Sequence, residues 1–238
     1  MSSAPGSGKF QILTTFYEVN CATIVFVSLW LLVSLCVRYG ILQPYVNAIR
    51  YVIKCNSWLY SAASLVLLIT MVSTSDENEG TGNSPSTLRY AYHLSKFYEY
   101  LDVLFVRATC VPIDLHFGFH HLTTPYLTLI RVVQSSSSWR IGAMLNAAHH
   151  VLMYAFFGGA QILRPALPWT GTLQLVVGLT IESILIRNNW MMGDGRPVWP
   201  NITTACLLFS YLILFTRDLI LRRASEKSMV TGERVKSE

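Results

Sequence analysis

The chain alternates long apolar runs with short polar breaks, and the runs have the length that a bilayer sets. A spanning helix needs about 20 mostly apolar residues. Seven segments are candidates: 21–37, 58–72, 91–108, 118–133, 141–163, 167–186 and 202–221. The first two carry no charge, the third is interrupted by Lys96, Glu99 and Asp102, and the fourth opens near a His-His pair. Between the second and third lies STSDENEGTGNSPSTL (73–88), a polar stretch without periodicity that predicts a loop. Residues 39–55 carry Arg50 and Lys54 among apolar positions and predict an interfacial helix entered through Pro44. No internal repeat divides the sequence, so 1–238 reads as one all-α integral membrane domain of seven transmembrane helices.

Composition agrees with this pattern. The 238 residues are 52% hydrophobic and 13% charged, with mean hydropathy +0.41. A soluble domain carries about 25% charged residues, so a disordered chain, an acidic solvating domain and most water-soluble enzymes are excluded. The net charge of +5 is not gathered into a basic run interleaved with aromatics, which excludes nucleic acid and leaves the lipid bilayer as the partner. Cys21, Cys36, Cys55, Cys110 and Cys206 are scattered without a C-x-x-C pair, so apolar packing is expected rather than disulfides or zinc.

Charge also orients the spans. Arg38, Arg50 and Lys54 follow the first span, and Arg222, Arg223, Lys227, Arg234 and Lys236 follow the last; Asp76, Glu77 and Glu79 lie in the loop between the second and third. An odd number of spans puts both basic segments on one side, and the positive-inside bias makes that side cytosolic. Residues 1–20 then form a lumenal segment and 222–238 a cytosolic tail. The sequon Asn201-Ile202-Thr203 lies too near the membrane for glycosylation and reads instead as a helix N-cap after Pro200.

The informative residues are the polar ones inside spans, each unfavourable by at least about 2.5 kcal/mol at a helix centre and hence a candidate for function. Lys96, Glu99 and Asp102, with His93, follow a three-residue spacing that forms a slowly turning stripe on one helix. Either a self-compensating ion pair or a reactive site fits that stripe. His116, His120 and His121 form a second group, and Asn146, His149 and His150 a third, followed by Tyr154. Five histidines in two clusters, each with a His-His pair, predict a shared polar site. Imidazole at such a site can ligate metal, move protons or carry an acyl group covalently.

At this point the motifs resemble a known family. KFYEYLDV (96–103) is similar to the KxxExxDT signature of the very-long-chain fatty acid elongases, the membrane 3-ketoacyl-CoA synthases. His120-His121 resembles the end of their HxxHH box, and NAAHHVLMYAFF (146–157) resembles their Asn-x-x-x-His-x-x-Met-Tyr-x-aromatic-aromatic segment. The resemblance runs from about Tyr90 to Gln174. It implies seven helices around a histidine-lined central cavity in the endoplasmic reticulum membrane, N-terminus lumenal and C-terminus cytosolic. It implies condensation of a long-chain acyl-CoA with malonyl-CoA to 3-ketoacyl-CoA, CO2 and CoA, with these two substrates and neither cofactor nor metal.

Carried over residue by residue, the resemblance makes His120 the acyl-accepting nucleophile, His150 the base or proton carrier, and His121, His116 and Asn146 their catalytic neighbours. Lys96, Glu99, Asp102, Tyr154 and Gln174 become substrate-binding residues, and His149, beside His150, is expected among them. Other enzymes of the elongation cycle and a second copy of the chain are the protein partners it allows.

The chain departs from the family pattern at four places. Val103 stands where the family has Thr, and the box reads HxxxHH with Phe117 at the usual first position. His149 is an additional histidine. The later Thr-x-x-Gln-x-x-Gln element keeps only Gln174, with Gly171 and Val177 at its flanks. His116 still reaches the face of His120, because four residues back is about 40° off that face. The alternative reading is a histidine-box di-iron desaturase or hydroxylase, and six histidines are too few for its eight-ligand set.

Overall fold

The computed structural model describes residues 12–74, 87–133, 139–192 and 197–235. Most of the loop predicted at 73–88 lies outside these. Eight helices follow in order: α1 (Phe16–Arg38), α2 (Val46–Ser73), α3 (Thr87–Tyr98), α4 (Tyr100–Ala108), α5 (Leu115–Thr128), α6 (Trp139–Gly158), α7 (Leu167–Met192) and α8 (Trp199–Val235). No strand occurs among the described residues.

Four stretches are long and apolar enough to cross a membrane on their own account: Phe16–Arg38, Gln43–Ser73, Gln161–Met191 and Trp199–Arg222. The other three spans are those that polar residues dilute. They are α3 with α4, α5 continued by the π-helical turn Leu129–Val133, and α6. The protein is therefore an all-α, multi-pass membrane protein, consistent with seven spans. Large apolar side chains such as Leu32, Val66, Ile184 and Phe209 face outward, as a lipid-facing surface requires.

Local sequence explains where the helices start and break. Thr15 caps α1, accepting from the Glu18 backbone N–H at 3.3 Å while Glu18 reaches back to the Thr15 backbone N–H at 3.0 Å. Gly40 takes φ +73° in the turn that follows. Residues 39–55 do not form the separate interfacial helix that their charges suggested. Pro44 sits in a short 3-10 turn, Gln43–Tyr45, and α2 then runs unbroken from Val46 to Ser73. Nothing between 46 and 57 is Gly or Pro, so no breaker ends the helix before the apolar run begins. At 28 residues α2 is about 42 Å long, which exceeds the hydrocarbon thickness and leaves Arg50 and Lys54 near its first turns.

The span 91–108 is one helix interrupted at Glu99, where the Asp102 N–H bonds the Glu99 carbonyl at 3.1 Å in a tighter turn. The five cysteines are free thiols, and Cys21, Cys55 and Cys206 are exposed rather than packed in a core. Asn201 is not an N-cap either. It lies in the first turn of α8, buried, with its Nδ2 donating to Glu182 Oε2 at 2.8 Å.

The helices close into a ring. α2 packs on α6, α6 on α7, α7 on α8, α8 on α5, α5 on α3 and α4, and these return to α2. α1 stands outside the ring against α4 and α5. There Phe26 stacks on Tyr100 with ring centroids 4.0 Å apart, and Val103 is fully buried beside them. The first departure from the family signature thus falls in the packing between α1 and α4, where a methyl in place of a hydroxyl removes a polar atom from an apolar contact.

α2 and α6 approach closely at Gly158, whose carbonyl accepts from Trp58 Nε1 at 3.1 Å. A Cβ at position 158 would lie 2.7 Å from that nitrogen. Gly158→Val is expected to destabilise the protein by about 1–3 kcal/mol through overpacking. Thermal unfolding of the detergent-purified protein should show a lower midpoint, and an unchanged midpoint would mean that the indole swings aside without loss.

Candidate active site

Glu99 organises the interior of the ring. It is fully buried at the break between α3 and α4. Its Oε1 accepts from Lys96 Nζ at 2.6 Å and from the Tyr60 hydroxyl on α2 at 2.7 Å. His150 Nδ1 on α6 lies 3.4 Å from the same oxygen, and His121 Nδ1 on α5 lies 3.9 Å from Oε2. A charge removed from water must be paired and hydrogen-bonded. Oε1 meets that requirement through Lys96 and Tyr60, whereas Oε2 has no hydrogen-bond partner and the two imidazoles stand at longer range.

Asn146 extends the network. Its Oδ1 accepts from Lys96 Nζ at 2.6 Å and from the Tyr92 hydroxyl at 3.0 Å. Its Nδ2 donates to Gln174 Oε1 on α7 at 3.2 Å and faces His150 Nε2 at 3.4 Å. With the amide donating to Nε2, the ring proton of His150 stands on Nδ1, toward Glu99. Lys96, Glu99, Asn146, His150 and Gln174 are therefore one connected set.

The histidines of α5 and α6 face a common cavity of about 620 Å³ inside the ring. His116, His120, His121, His149 and His150 all line it. His120 and His116 have ring centroids 5.9 Å apart, so the HxxxHH spacing keeps both on one helix face. His120 packs edge-on against Tyr211 of α8 at 4.7 Å, and its buried Nδ1 has no hydrogen-bond partner. Tyr211 is held by a 2.7 Å hydrogen bond between its hydroxyl and Thr123 Oγ1. His116 lies nearer the mouth, its Nδ1 3.8 Å from Asp218.

The mouth is at the end of the ring where α5 begins and α6 ends. Asp114, Arg164 and Arg222 line the cavity there. Arg164 and Arg222 are the basic residues at this end, whereas Arg107 donates to Ser34 Oγ between α4 and α1. Past His120 a second chamber of about 100 Å³ continues toward the other end, sharing His120, Gln174, Leu175 and Tyr211 with the first. Arg131, Glu182 and Thr204 stand at its far wall, where Arg131 Nε pairs with Glu182 Oε1 at 2.8 Å.

The predicted stripe on 93–102 does not act as a unit. His93 turns away to Thr128 Oγ1 and the Leu13 carbonyl, both at 2.7 Å. The helix break sends Asp102 toward α2 and α6 instead, where it accepts from the Tyr154 hydroxyl and from Asn56 Nδ2. Tyr154 is edge-on to both Tyr60 and His150, so this pair supports the site from behind without lining the cavity.

Tyr60, Tyr92 and Tyr211 are site residues that sequence reasoning missed. A tyrosine in an apolar run carries no signal that separates a buried hydroxyl from a ring at the membrane surface. Arg131 and Glu182 did carry a signal, as ionisable residues inside predicted spans. Among the described residues no three His, Cys, Asp or Glu side chains converge as a metal would require.

Comparison with known proteins identifies the family. The family model for ELO (GNS1/SUR4 family) matches residues 9–223, and the chain belongs to that family. Fatty acid elongase 3 of Trypanosoma brucei brucei (strain 927/4 GUTat10.1) is 26% identical over 136 residues, 53% of this chain. The match covers 45% of that protein, so the chain spans less than half of its relative's length. No solved structure matches the chain significantly.

Removing one partner of a buried ion pair strands the other and costs about 3–5 kcal/mol. Glu99→Ala is therefore expected to sharply reduce folded, monodisperse protein, with Lys96 left charged in the interior. The double variant Lys96→Met with Glu99→Gln should recover most of that loss in the same size-exclusion and thermal-unfolding measurements. Equal damage from the single and double variants would refute the pairing.

Proposed function

We propose that this protein is a fatty acid elongase that condenses a long-chain acyl-CoA with malonyl-CoA to 3-ketoacyl-CoA, CO2 and CoA through an acyl-histidine intermediate. The observation that carries the reading is the cavity lined by all five clustered histidines, with arginines at its mouth and a smaller chamber continuing beyond His120. Family membership and the name of the trypanosomal relative support the same chemistry.

In this reading the CoA end stays near Arg164 and Arg222 and the thioester meets His120 where the larger cavity adjoins the inner chamber. A ring nitrogen of His120 attacks the thioester carbonyl. The C–N bond forms, the C–S bond breaks, and the ring proton passes to the departing CoA sulfur. Malonyl-CoA then follows into the vacated space and loses CO2, its C–C electron pair becoming an enolate. The enolate carbon attacks the acyl carbonyl, the bond to His120 breaks, and His120 regains a proton through its neighbours. His150, with its proton directed at Glu99, is the proton carrier; His121 and His116 flank the nucleophile. Donors fixed in a water-poor cavity stabilise an enolate oxygen without reorganisation, and Lys96 and Asn146 are held for that work by Glu99 and Gln174. Asp102 and Tyr154 act as supports for His150.

Two of the departures from the family pattern are compatible with this scheme. α5 keeps His116 on the face of His120, and Val103 lies outside the cavity lining. The same reading puts the protein in the endoplasmic reticulum membrane with its C-terminus, and so the arginine-lined mouth, on the cytosolic side where CoA esters arise. Other enzymes of the elongation cycle would then be its partners, either with or without a second copy of the chain.

Membranes containing the protein should incorporate radiolabelled malonyl-CoA carbon into a longer acyl product, and His120→Ala should abolish it. His150→Ala should lower the rate by about 100-fold or more, the scale of a general acid–base group. If folded wild-type protein extends no acyl-CoA of any length, the condensation reading fails.

A further inference from the structure

His149 is the histidine that the family pattern does not call for, and its surroundings give it a defined orientation. Its ring is nearly buried on α6, and Nδ1 lies 2.8 Å from Thr170 Oγ1 on α7. The Thr170 hydroxyl donates back to the Ala166 and Leu167 carbonyls at 3.2 and 3.3 Å. A hydroxyl has one proton. With that proton directed at the carbonyls, Oγ1 accepts from His149 Nδ1–H, and the lone pair is left on Nε2. His149 is thus held as a neutral acceptor in the wall of the larger cavity.

Gly171 of α7 borders the same part of the wall, next to Phe215 of α8. A Cβ at Gly171 would lie 3.4 Å from His149 Cε1 and 2.7 Å from Phe215 Cζ. Gly171 stands where the resembling element carries Thr. The side-chain hydroxyl lost from α7 is matched by an imidazole gained from α6, so the wall keeps a polar atom at this level. Thr170 lies in the first turn of α7 beside Arg164 and Pro168 of the mouth, and the adjacent His150 lies deeper with Glu99. His149 is therefore between the arginines and the reacting centre, where the arm joining CoA's phosphates to its sulfur must pass. That arm contains secondary amides, and an amide N–H taken out of water without an acceptor is strongly disfavoured.

We propose that His149 Nε2 accepts a hydrogen bond from an amide N–H of the pantetheine arm and so sets the depth at which the thioester meets His120. The assignment rests on the elongase reading, and it makes His149 a substrate-binding group rather than a proton carrier.

The test uses the full chain, purified in detergent, with CoA as the binding probe and acyl-CoA plus malonyl-CoA in the elongation assay. His149→Leu should weaken CoA binding and raise both KM values by about tenfold, the effect of one lost hydrogen bond to a buried donor. Its kcat should stay within about twofold of wild type. His149→Gln, whose amide oxygen can accept, should stay within about threefold of wild type throughout. Thr170→Val, which releases the ring without deleting it, should fall between them, and it tests the idea even if His149→Leu fails to fold.

Unchanged CoA affinity in both the Leu and Val variants overturns the proposal. So does a fall in kcat at constant KM shared by the Leu and Gln variants, the signature of proton transfer. A wild-type protein that binds CoA but extends nothing would sink the elongase reading alone, while the binding measurements still judge His149.

Discussion

A carboxylate shut away from water at the centre of a helical bundle must be answered from every side, and Glu99 imposes that condition on the rest of the interior. Lys96 and Tyr60 hydrogen-bond one of its oxygens, and His150 from α6 and His121 from α5 lie 3.4 and 3.9 Å from the carboxylate. The two α5 and α6 histidine clusters are therefore not independent sites that happen to be near each other. Both are drawn to one negative group, and the rotation of each helix about its axis is limited by it. An uncompensated charge here would cost several kcal/mol, comparable with a large fraction of a domain's stability.

The ring of six packed spans converts that constraint into a cavity. Where α2 and α6 meet, Gly158 and Trp58 allow close approach and the interior is filled by Tyr60 and Tyr154. Where α5 faces α7 and α8, the contact is held apart by the rings of His120, Tyr211 and Phe215, and the space between is the larger chamber. α1 adds nothing to the cavity wall: its contacts are with α4 and α5 through Phe26, Tyr100 and Val103. The polar and apolar tasks are thus separated in space, reactive groups inside the ring and ordinary packing between α1 and the ring.

Much of this was legible before any coordinates. The apolar runs placed the spans, and the rule that an ionisable residue inside a membrane is a site by default pointed to Lys96, Glu99, His120, His121, Asn146 and His150 together. What periodicity could not show was the break at Glu99. A three-residue spacing on an unbroken helix puts His93 and Asp102 on the same stripe as Lys96, yet one tightened turn sends Asp102 to Tyr154 and His93 packs toward Thr128. Hydropathy misplaced the start of α2 for a related reason. The helix begins where no breaker prevents it, about a dozen residues before the chain becomes apolar. The tyrosine hydroxyls that satisfy Glu99 and Asn146 were invisible, because their partners are distant in sequence and a tyrosine fits an apolar run whether or not its oxygen is used.

The departures from the family signature fall into two physical kinds. Val103 replaces a hydroxyl where the neighbours are Phe26 and Tyr100, and the shifted first histidine of the box stays on the helix face that it needs. Those changes preserve the surroundings of the reacting atoms. The loss of a hydroxyl at position 171 and the additional ring at 149 are of the other kind, because both alter the cavity wall. They lie on facing helices, where a Cβ at 171 would crowd Phe215 Cζ at 2.7 Å and meet His149 Cε1 at an ordinary contact of 3.4 Å. What position 171 must spare is the Phe215 ring, so the glycine there is required by the packing of α7 on α8 rather than by the additional histidine.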